Sequence, residues 1–215
     1  MAIIKKIVFN HFEENTYVVC DETQQCVVID PGMATPEEND TMTDILSNYN
    51  LKVAAILLTH THIDHIAGLK SLFDYCQAPV FLHTDGLELL RQSEIYASVM
   101  GFKIDKLDGI PLTTLSQGET VSFGHSKIEA RWVPGHAAGS LVFCLHSDKA
   151  VFTGDALFNM SIGRTDLPTG DFQQLLSKLR EQVLPLPDDY EVFPGHGPKT
   201  TIGFEKKHNP FINPR

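Results

Sequence analysis

An apolar run followed by a histidine-rich run decides the fold: Val53-Ala-Ala-Ile-Leu-Leu58, then Thr59-His-Thr-His-Ile-Asp-His65. The apolar run has the length of a strand that is covered on both faces, as strands of parallel sheets are. Loops at the carboxyl ends of such strands collect ligand-binding groups on a rigid base. The pattern therefore predicts an α/β sheet with a functional site directly after this strand.

The four charged or titratable side chains of this run suit a metal centre. Neutral imidazole and carboxylate are ligands for zinc, iron(II) and manganese. His60 and His62 are two residues apart in an extended loop and can point the same way, whereas Asp64 and His65 begin the next helix and face another direction. All four at one tetrahedral zinc would leave no position for water. We therefore expect two metal ions.

Further ligands are expected at other strand ends. His136 lies in Val133-Pro-Gly-His136, Asp155 in Phe152-Thr-Gly-Asp155, and His196 in Phe193-Pro-Gly-His196. Each follows a predicted strand within a turn that contains glycine. Taken singly, Asp and Gly favour turns whatever the function. As a set at strand ends, they predict one shared site.

The predicted elements alternate between short strands and helices in both halves of the chain. Helices are expected over 36–49, 66–75, 85–99 and 172–183, and a last short one over 202–207. Two stretches, 17–30 and 142–155, have equal length, and each ends in an aspartate. A duplication and two unrelated β-hairpins both account for this similarity. Strands followed by helices in each half predict two mixed sheets packed face to face, with helices outside.

Composition excludes several classes of protein. The formal net charge of −10 is the opposite of what binding to a phosphate backbone requires, so no nucleic-acid partner is expected. The apolar runs are too short to span a bilayer, and the first residues do not resemble a signal peptide. The four cysteines form no C-x-x-C pair. A cytoplasmic protein without a membrane partner is expected.

Four motifs, T-H-x-H-x-D-H, G-H-x-x-G-S, G-D-A-L-F and P-G-H-G, occur here in an order and spacing that resemble the metallo-β-lactamase superfamily. The resemblance implies an αβ/βα sandwich with metals at the sheet ends, as one domain over 1–215. Asp30-Pro-Gly, the segment 161–168 and the segment 201–211 further resemble short glyoxalase II-like hydrolases, relatives of hydroxyacylglutathione hydrolase. The C-terminal helical domain that binds glutathione in larger glyoxalase II enzymes is expected to be missing.

The resemblance also implies a ligand set and a reaction. It assigns His60, His62 and His136 to a first divalent ion, Asp64, His65 and His196 to a second, and Asp155 to both. Asp30 would orient a ligand histidine from behind. Zinc is the expected metal, and iron or manganese suits the same ligands. A hydroxide shared by the two metals would attack a thioester, with Asp64 and Asp155 as catalytic residues.

The implied substrate is a small-molecule thioester, S-D-lactoylglutathione or a similar hydroxyacyl thioester. Arg164 would bind a carboxylate of this substrate. An ion pair of Arg164 with Asp166 or Asp171 accounts for this residue equally well. Where glyoxalase II enzymes carry a tyrosine, this chain has Asp166, and Ile162 replaces a cysteine, so a weaker grip on glutathione is expected. The oligomeric state stays open.

The main alternative is a persulfide dioxygenase with a single iron(II). Such relatives share the fold and the Gly-Arg-Thr-Asp segment, and they hold iron with two histidines and an aspartate, here His60, His136 and Asp155. β-Lactam hydrolysis is less favoured, because Asp155 stands where many lactamases place a cysteine. Relatives that process RNA usually carry a further domain, and the acidic charge argues against that function.

The five remaining histidines are expected in turns, strand ends or the polar tail. These are His11, His83, His125, His146 and His208. His11 and Phe12 share a loop, 10–15, that can fold over a cleft, so Phe12 is a candidate for substrate contact.

Overall fold

Two six-stranded sheets form the centre of the molecule, as a computed structural model that describes residues 1–213 shows. The first sheet has the order β1-β2-β3-β4-β5-β6 and the second β14-β13-β10-β9-β8-β7. The strands of the first sheet are β1 Ile3–Phe9, β2 Glu14–Cys20, β3 Gln25–Ile29, β4 Lys52–Leu57, β5 Val80–Leu82 and β6 Leu112–Thr114. Those of the second are β7 Thr120–Phe123, β8 Ser126–Trp132, β9 Leu141–Leu145, β10 Ala150–Gly154, β13 Glu191–Pro194 and β14 Thr200–Thr201. A separate two-stranded hairpin consists of β11 Leu157–Phe158 and β12 Ser161–Ile162.

Both sheets are mixed, which confirms the predicted fold class. In the first sheet, β1, β2 and β3 are antiparallel, and β3, β4, β5 and β6 are parallel. In the second, β10 is antiparallel to β9 and parallel to β13. The two stretches of equal length, 17–30 and 142–155, are the antiparallel pairs β2–β3 and β9–β10. Each pair is followed by a strand parallel to its second member, so Asp30 and Asp155 end at corresponding places in the two sheets.

Helices cover the outer face of each sheet. They are α1 Pro36–Asn48, α2 Ile63–Ile66, α3 Leu69–Cys76, α4 Leu87–Arg91, α5 Ser93–Val99, α6 Phe172–Lys178 and α7 Ile202–His208. Met42 of α1 and Leu72 of α3 pack on the first sheet. Leu175 of α6, with Leu179 and Val183 in the π-helical turn Leu179–Val183 that follows, packs on the second. The order helix, sheet, sheet, helix is the expected αβ/βα sandwich.

The strand β2 packs against two separate cores, one on each of its faces, and all of its residues are buried. Tyr17 and Val19 point into the layer between the sheets. Val18 and Cys20 point to the layer under the helices. Successive side chains of a strand face opposite sides, so the consecutive apolar residues 17–20 supply both cores at once.

The helix predicted over 66–75 is in fact two short helices. The helix α2 ends at Ile66 and α3 begins at Leu69, and Gly68 lies between the two helices. The Gly68 amide donates a hydrogen bond to the Pro31 carbonyl at 2.8 Å. A Cβ at this position would lie 2.5 Å from the Met33 Cε atom. Close contact with the loop after β3 therefore interrupts the helix, and periodicity alone does not reveal it.

The prediction of a single helix over 85–99 is also wrong. The segment is a 3-10 turn, Thr84–Gly86, followed by α4 and α5, with Gln92 between them. Leu90 faces the core, whereas Ile95 and Val99 are exposed. The bend at Gln92 wraps the segment around a cavity instead of laying it flat on the sheet.

No helix in the described part of the chain has the length and hydropathy needed to cross a membrane.

Removal of an aromatic ring from the layer between the sheets should destabilise the protein strongly. Phe152 is fully buried, and its ring centroid lies 5.2 Å from those of both Tyr17 and Phe193. We expect Phe152→Ala to lower the free energy of unfolding by about 3–5 kcal/mol, measured by urea denaturation. Phe172→Ala, at an exposed position of α6, is the matched control and should cost about 1 kcal/mol or less. Similar losses in the two variants would contradict the assignment of this layer as the main core.

Candidate metal centre

The seven predicted ligands come together at one edge of the sandwich, where strands from both sheets end. His60 and His62 follow β4, and Asp64 and His65 lie on α2. The second sheet contributes one side chain after each of three strands: His136 after β8, Asp155 after β10 and His196 after β13. The structure thus places the first four ligands on one sheet and the other three on the opposite sheet.

Three histidines form the first group of the centre. The His62 Nδ1 atom lies 3.1 Å from the His60 Nε2 atom and 2.9 Å from the His136 Nε2 atom. One nitrogen from each ring therefore faces a common point, and all these atoms lie within 4.8 Å of one another. His60 and His136 are buried. Such a set can bind one metal ion through three imidazoles.

The second group contains Asp64, His65 and His196. The Asp64 Oδ2 atom lies 3.2 Å from the His196 Nε2 atom and 3.5 Å from the His65 Nε2 atom. Gly195 makes this arrangement possible, because a Cβ there would lie 2.4 Å from the Asp155 Oδ1 atom and 2.7 Å from the His65 Cε1 atom. The glycine of the Pro-Gly-His turn is thus required by close packing on the centre.

Asp155 lies between the two groups and contacts both. Its Oδ2 atom is 3.5 Å from the His136 Nε2 atom and 3.7 Å from the His196 Nε2 atom. Its Oδ1 atom is 3.4 Å from the His65 Nε2 atom. A carboxylate in this position can bind two cations at once, one held by each group of ligands.

Four histidines are oriented by hydrogen bonds on the ring nitrogen that faces away from the centre. The Nδ1 atom of His60 is 3.1 Å from the Thr59 hydroxyl, and that of His65 is 3.0 Å from the Asp30 carboxylate. The Nδ1 atoms of His136 and His196 are 2.8 and 3.0 Å from the backbone carbonyls of Arg164 and Phe12. A proton on each Nδ1 leaves the Nε2 lone pair free for a cation, as is usual behind metal-bound imidazoles.

Two buried atoms at the centre have no hydrogen-bond partner among the described residues. They are the His65 Nε2 atom and the Asp155 Oδ1 atom. Burying polar atoms without partners costs free energy, so such atoms are rare in folded proteins. Both atoms face the point where the two groups meet. The donor set and these two atoms fit bound metal ions.

The histidines of the first group are prepared to bind a cation without losing a proton. Burial lowers the pKa of His60 and His136, and it lowers the pKa of His62 to about 4. The positive charge of neighbouring imidazoles lowers the pKa of His60 and His62 further. These rings are therefore neutral near pH 7, which is the form that binds metals.

In the second group, the neighbouring charges shift the pKa values of the histidines upward instead of downward. Burial would lower the pKa of His65 and His196, but the carboxylates of Asp64 and Asp155 outweigh it and raise both values. Conversely, burial would raise the pKa of the two carboxyl groups, but neighbouring imidazoles lower it. Without metals, the second group is thus held together by ion pairs between imidazolium and carboxylate.

Asp30 lies behind His65, where the sequence placed it. Its Oδ1 atom accepts a hydrogen bond from the Thr59 amide at 2.7 Å. Its Oδ2 atom accepts one from the Thr59 hydroxyl at 2.5 Å and lies 3.0 Å from the His65 Nδ1 atom. Thr59 was not predicted as a site residue, although it directly precedes His60. The structure shows that its hydroxyl links Asp30 to His60.

Glu14 is a second residue that the sequence did not indicate. It is fully buried, with its Oε1 atom 3.9 Å from the His65 Nδ1 atom, and its Oε2 atom accepts a hydrogen bond from Thr16. Burial raises its pKa well above the usual range. The signal available in the sequence was a charged residue directly before the apolar part of a strand. In the structure this strand, β2, is buried over its whole length.

Arg164 forms an ion pair with Asp166, which is one of the two roles that the sequence left open for this residue. Its guanidinium donates two hydrogen bonds to the Asp166 carboxylate, at 2.8 and 2.7 Å. Both side chains are more than half exposed. Arg164 also lines the cavity above the centre.

Four of the other histidines lie outside the centre, as expected. The His11 ring contacts the Phe12 ring at a tilt, and His83 stacks on Trp132. His125 pairs with Glu22 and His146 with Glu129 on the surface.

A cavity of about 320 Å³ opens above the two groups. Asp64, Asp155 and His196 form part of its floor, and Phe12 belongs to its wall. The loop 10–15 thus contributes Phe12 to the cavity wall, and contact of Phe12 with a substrate stays a prediction. The volume is within the range of small-molecule sites.

Comparisons with known proteins agree with this geometry. The sequence profile of the family described as the metallo-beta-lactamase superfamily matches residues 10–196. The hydroxyacylglutathione hydrolase GloC of Haemophilus influenzae is 33% identical over 204 residues, which cover 94% of each chain.

Two solved structures also superpose closely. BLEG-1, described as a B3 metallo-beta-lactamase, has a TM-score of 0.89 and 33% identity over 98% of this chain and all of its own. TTHA1623, solved in a di-iron-bound form, has a TM-score of 0.86 and 35% identity over 96% of this chain and 99% of its own. With its ligand motifs, its sandwich of two sheets and this profile match, the chain belongs to the metallo-β-lactamase superfamily.

Proposed function

We propose that this protein is a metal-dependent thioesterase of the glyoxalase II type. The observation that carries the proposal is the position of Asp155, which lies between two groups of ligands at the floor of a cavity. Such a site suits hydrolysis with two metals, in which one cation assists the attacking oxygen and the other the leaving group. The similarity to GloC favours a thioester as substrate.

Two divalent ions, with zinc as the expected metal, would lower the pKa of a bound water and polarise the substrate carbonyl. The residues of the chain would bind and orient the reactants. His60, His62 and His136 would fix one ion, and Asp155 would keep both at a set separation. In the overall reaction, the water oxygen forms a bond to the acyl carbon, the C–S bond breaks, and its electron pair leaves on sulfur. The products are a carboxylate, a thiol and a proton.

Asp64 has a second role in this proposal. Its Oδ2 atom is 3.2 Å from the His196 Nε2 atom, and the residue lines the cavity. The surrounding imidazoles keep its pKa low, so it is a carboxylate near pH 7. It can accept a hydrogen bond from the attacking water and hold it toward the acyl carbon.

A persulfide dioxygenase is the second candidate. The observation in its favour is the segment Gly163-Arg-Thr-Asp166. TTHA1623 shows that a similar fold binds iron, there as a pair of ions. His60, His136 and Asp155 would supply the two histidines and one carboxylate of a mononuclear iron site. The test is oxygen uptake with glutathione persulfide by iron-loaded protein. Uptake without hydrolysis of any thioester would overturn the thioesterase proposal.

Loss of the Asp155 carboxylate should abolish activity and reduce metal content. We expect metal-replete protein to hydrolyse S-D-lactoylglutathione and Asp155→Asn to lower kcat/KM by more than the roughly 10–100-fold that losing an outer partner of a ligand costs. Metal analysis of the same samples should show less than the wild-type content. Asp74→Asn, which removes an exposed carboxylate on α3, is the matched control and should change neither quantity.

Two outcomes would contradict this prediction. An Asp155→Asn variant with full metal content and full activity would exclude the bridging role. Turnover of a cephalosporin that exceeds turnover of every thioester would assign the protein to β-lactam hydrolysis instead.

Metal loading should release protons from the second group of ligands. The raised pKa values of His65 and His196 keep these rings protonated over a wider pH range, and a proton on Nε2 must leave when a metal binds. We therefore expect zinc added to metal-free protein in weak buffer to release protons near pH 7. The release should fall as the pH is raised above 7, because a growing share of the rings has then lost its proton before the metal binds. A release that is constant across this range would contradict the raised pKa values.

Arg164→Ala should raise KM for S-D-lactoylglutathione far more than it lowers kcat. A hydrogen-bonded ion pair with a substrate carboxylate is worth roughly tenfold in affinity or more. Asp166→Ala should have the opposite effect on KM, because it frees the guanidinium. Arg91→Ala, at a remote exposed ion pair on α4, is the control. An unchanged KM in Arg164→Ala would remove this residue from the substrate site.

A further inference from the structure

The wall of the cavity is more apolar than a lactoyl group requires. Its apolar members come from separate elements: Phe12 from the β1–β2 loop, Ile63 from α2, Leu89 from α4, Tyr96 from α5, Met100 directly after α5, and Leu167 from the loop after β12. These side chains surround the entrance to the metal centre. Walls of this kind favour ligands that present apolar surface.

Charge is scarce on this wall. Apart from the histidines and aspartates of the metal centre, Arg164 is the one charged residue that lines the cavity in the described chain. Its guanidinium is 61% exposed and paired with Asp166. The carboxylates and the ammonium group of a glutathione carrier would find no charged partner along the part of the wall formed by Leu89, Tyr96 and Met100. A charged carrier therefore belongs at the mouth, beside Arg164, and the apolar wall is left for the acyl group.

The size of the cavity also favours an acyl group larger than lactoyl. Its volume of about 320 Å³ is roughly ten times the ~30 Å³ that one water occupies in the liquid. A lactoyl group has few non-hydrogen atoms and carries a hydroxyl, so it would leave most of the apolar wall uncovered. A longer acyl chain would cover it and remove that surface from water.

We propose that the preferred substrates carry an aliphatic or aromatic acyl group of roughly four to eight carbons, which fits a space of about ten water volumes. The acyl group contacts the wall formed by Leu89, Tyr96 and Met100, while the thiol carrier lies toward Arg164. This inference rests on the proposed thioesterase function and goes beyond it, because it names the part of the substrate that the cavity selects.

The test is a series of acyl thioesters on one small neutral thiol, N-acetylcysteamine, with acetyl, butyryl, hexanoyl and octanoyl groups. Full burial of a methylene corresponds to about a fourfold gain in kcat/KM. We expect a gain of roughly tenfold or more from acetyl to hexanoyl, because burial on an open wall is incomplete. The D-lactoyl thioester of the same thiol should lie near the acetyl compound.

Two neighbouring positions at the end of α5, Val99 and its C-cap Met100, provide a matched pair of variants. Met100 lines the cavity, whereas Val99, beside it in sequence, is 79% exposed and does not line it. Met100 is itself 61% exposed, so either side chain can be replaced by glutamate without burying a charge in the core. Met100→Glu should reduce the hexanoyl-to-acetyl ratio of kcat/KM toward one, and Val99→Glu should leave this ratio unchanged. Circular dichroism would check that both variants are folded.

The outcomes separate the inference from the function on which it rests. Thioester hydrolysis that is flat or falls with chain length would overturn the acyl preference and leave the thioesterase in place. An equal loss of the ratio in both variants would also overturn it, since the effect would then not come from the cavity wall. Absence of hydrolysis for every thioester by metal-loaded protein would overturn the thioesterase function and the acyl preference together. Binding of hexanoate and acetate, measured by calorimetry, adds a readout without turnover: hexanoate should bind more tightly, and equal affinities would contradict the inference.

Discussion

The carboxylate of Asp30 holds the segments that carry the metal centre in place. It accepts two hydrogen bonds from Thr59 and lies 3.0 Å from the His65 Nδ1 atom, so one side chain fixes both the loop after β4 and the helix α2. Because the Thr59 hydroxyl donates to Asp30, it is left to accept from the His60 Nδ1 atom. One carboxylate therefore sets the orientation of two ligand histidines, and both turn their Nε2 atoms to the centre.

This arrangement concentrates charge among side chains that are largely buried. Asp64 and Asp155 lie within ion-pair distance of His65 and His196, and the His65 Nε2 and Asp155 Oδ1 atoms, 3.4 Å apart, form no hydrogen bond among the described residues. Buried charges are tolerated only when they are paired or bind metals. Metal binding would replace imidazolium by a cation of higher charge, and it would stabilise the folded state by mass action. The donor set of the centre thus suits cations.

Membership of the superfamily explains the centre but not the choice of substrate, because function depends on the site that a fold carries. In this protein, the walls of the site come from loops and from three short helical segments over 84–99 that bend around the cavity. These segments place apolar side chains above the metal centre and leave a single exposed guanidinium at the mouth. The wall thus comes largely from other parts of the chain than the ligands at the floor, and Ile63 of α2 is the exception.

The sequence by itself determined the ligand motifs, the buried strand before the first of them and the two-sheet sandwich. These features are local: a turn that contains glycine, a strand that is apolar at both parities and ligands at fixed spacing can all be recognised within a few residues. Only the tertiary structure decided the contacts of Glu14 and Thr59, the pairing of Arg164 with Asp166 and the bends at Gly68 and Gln92. Periodicity shows that a segment is helical, but it cannot show where packing interrupts the helix. The cavity wall likewise depends on which side chains the bent segments turn inward, and long-range packing alone decides that direction.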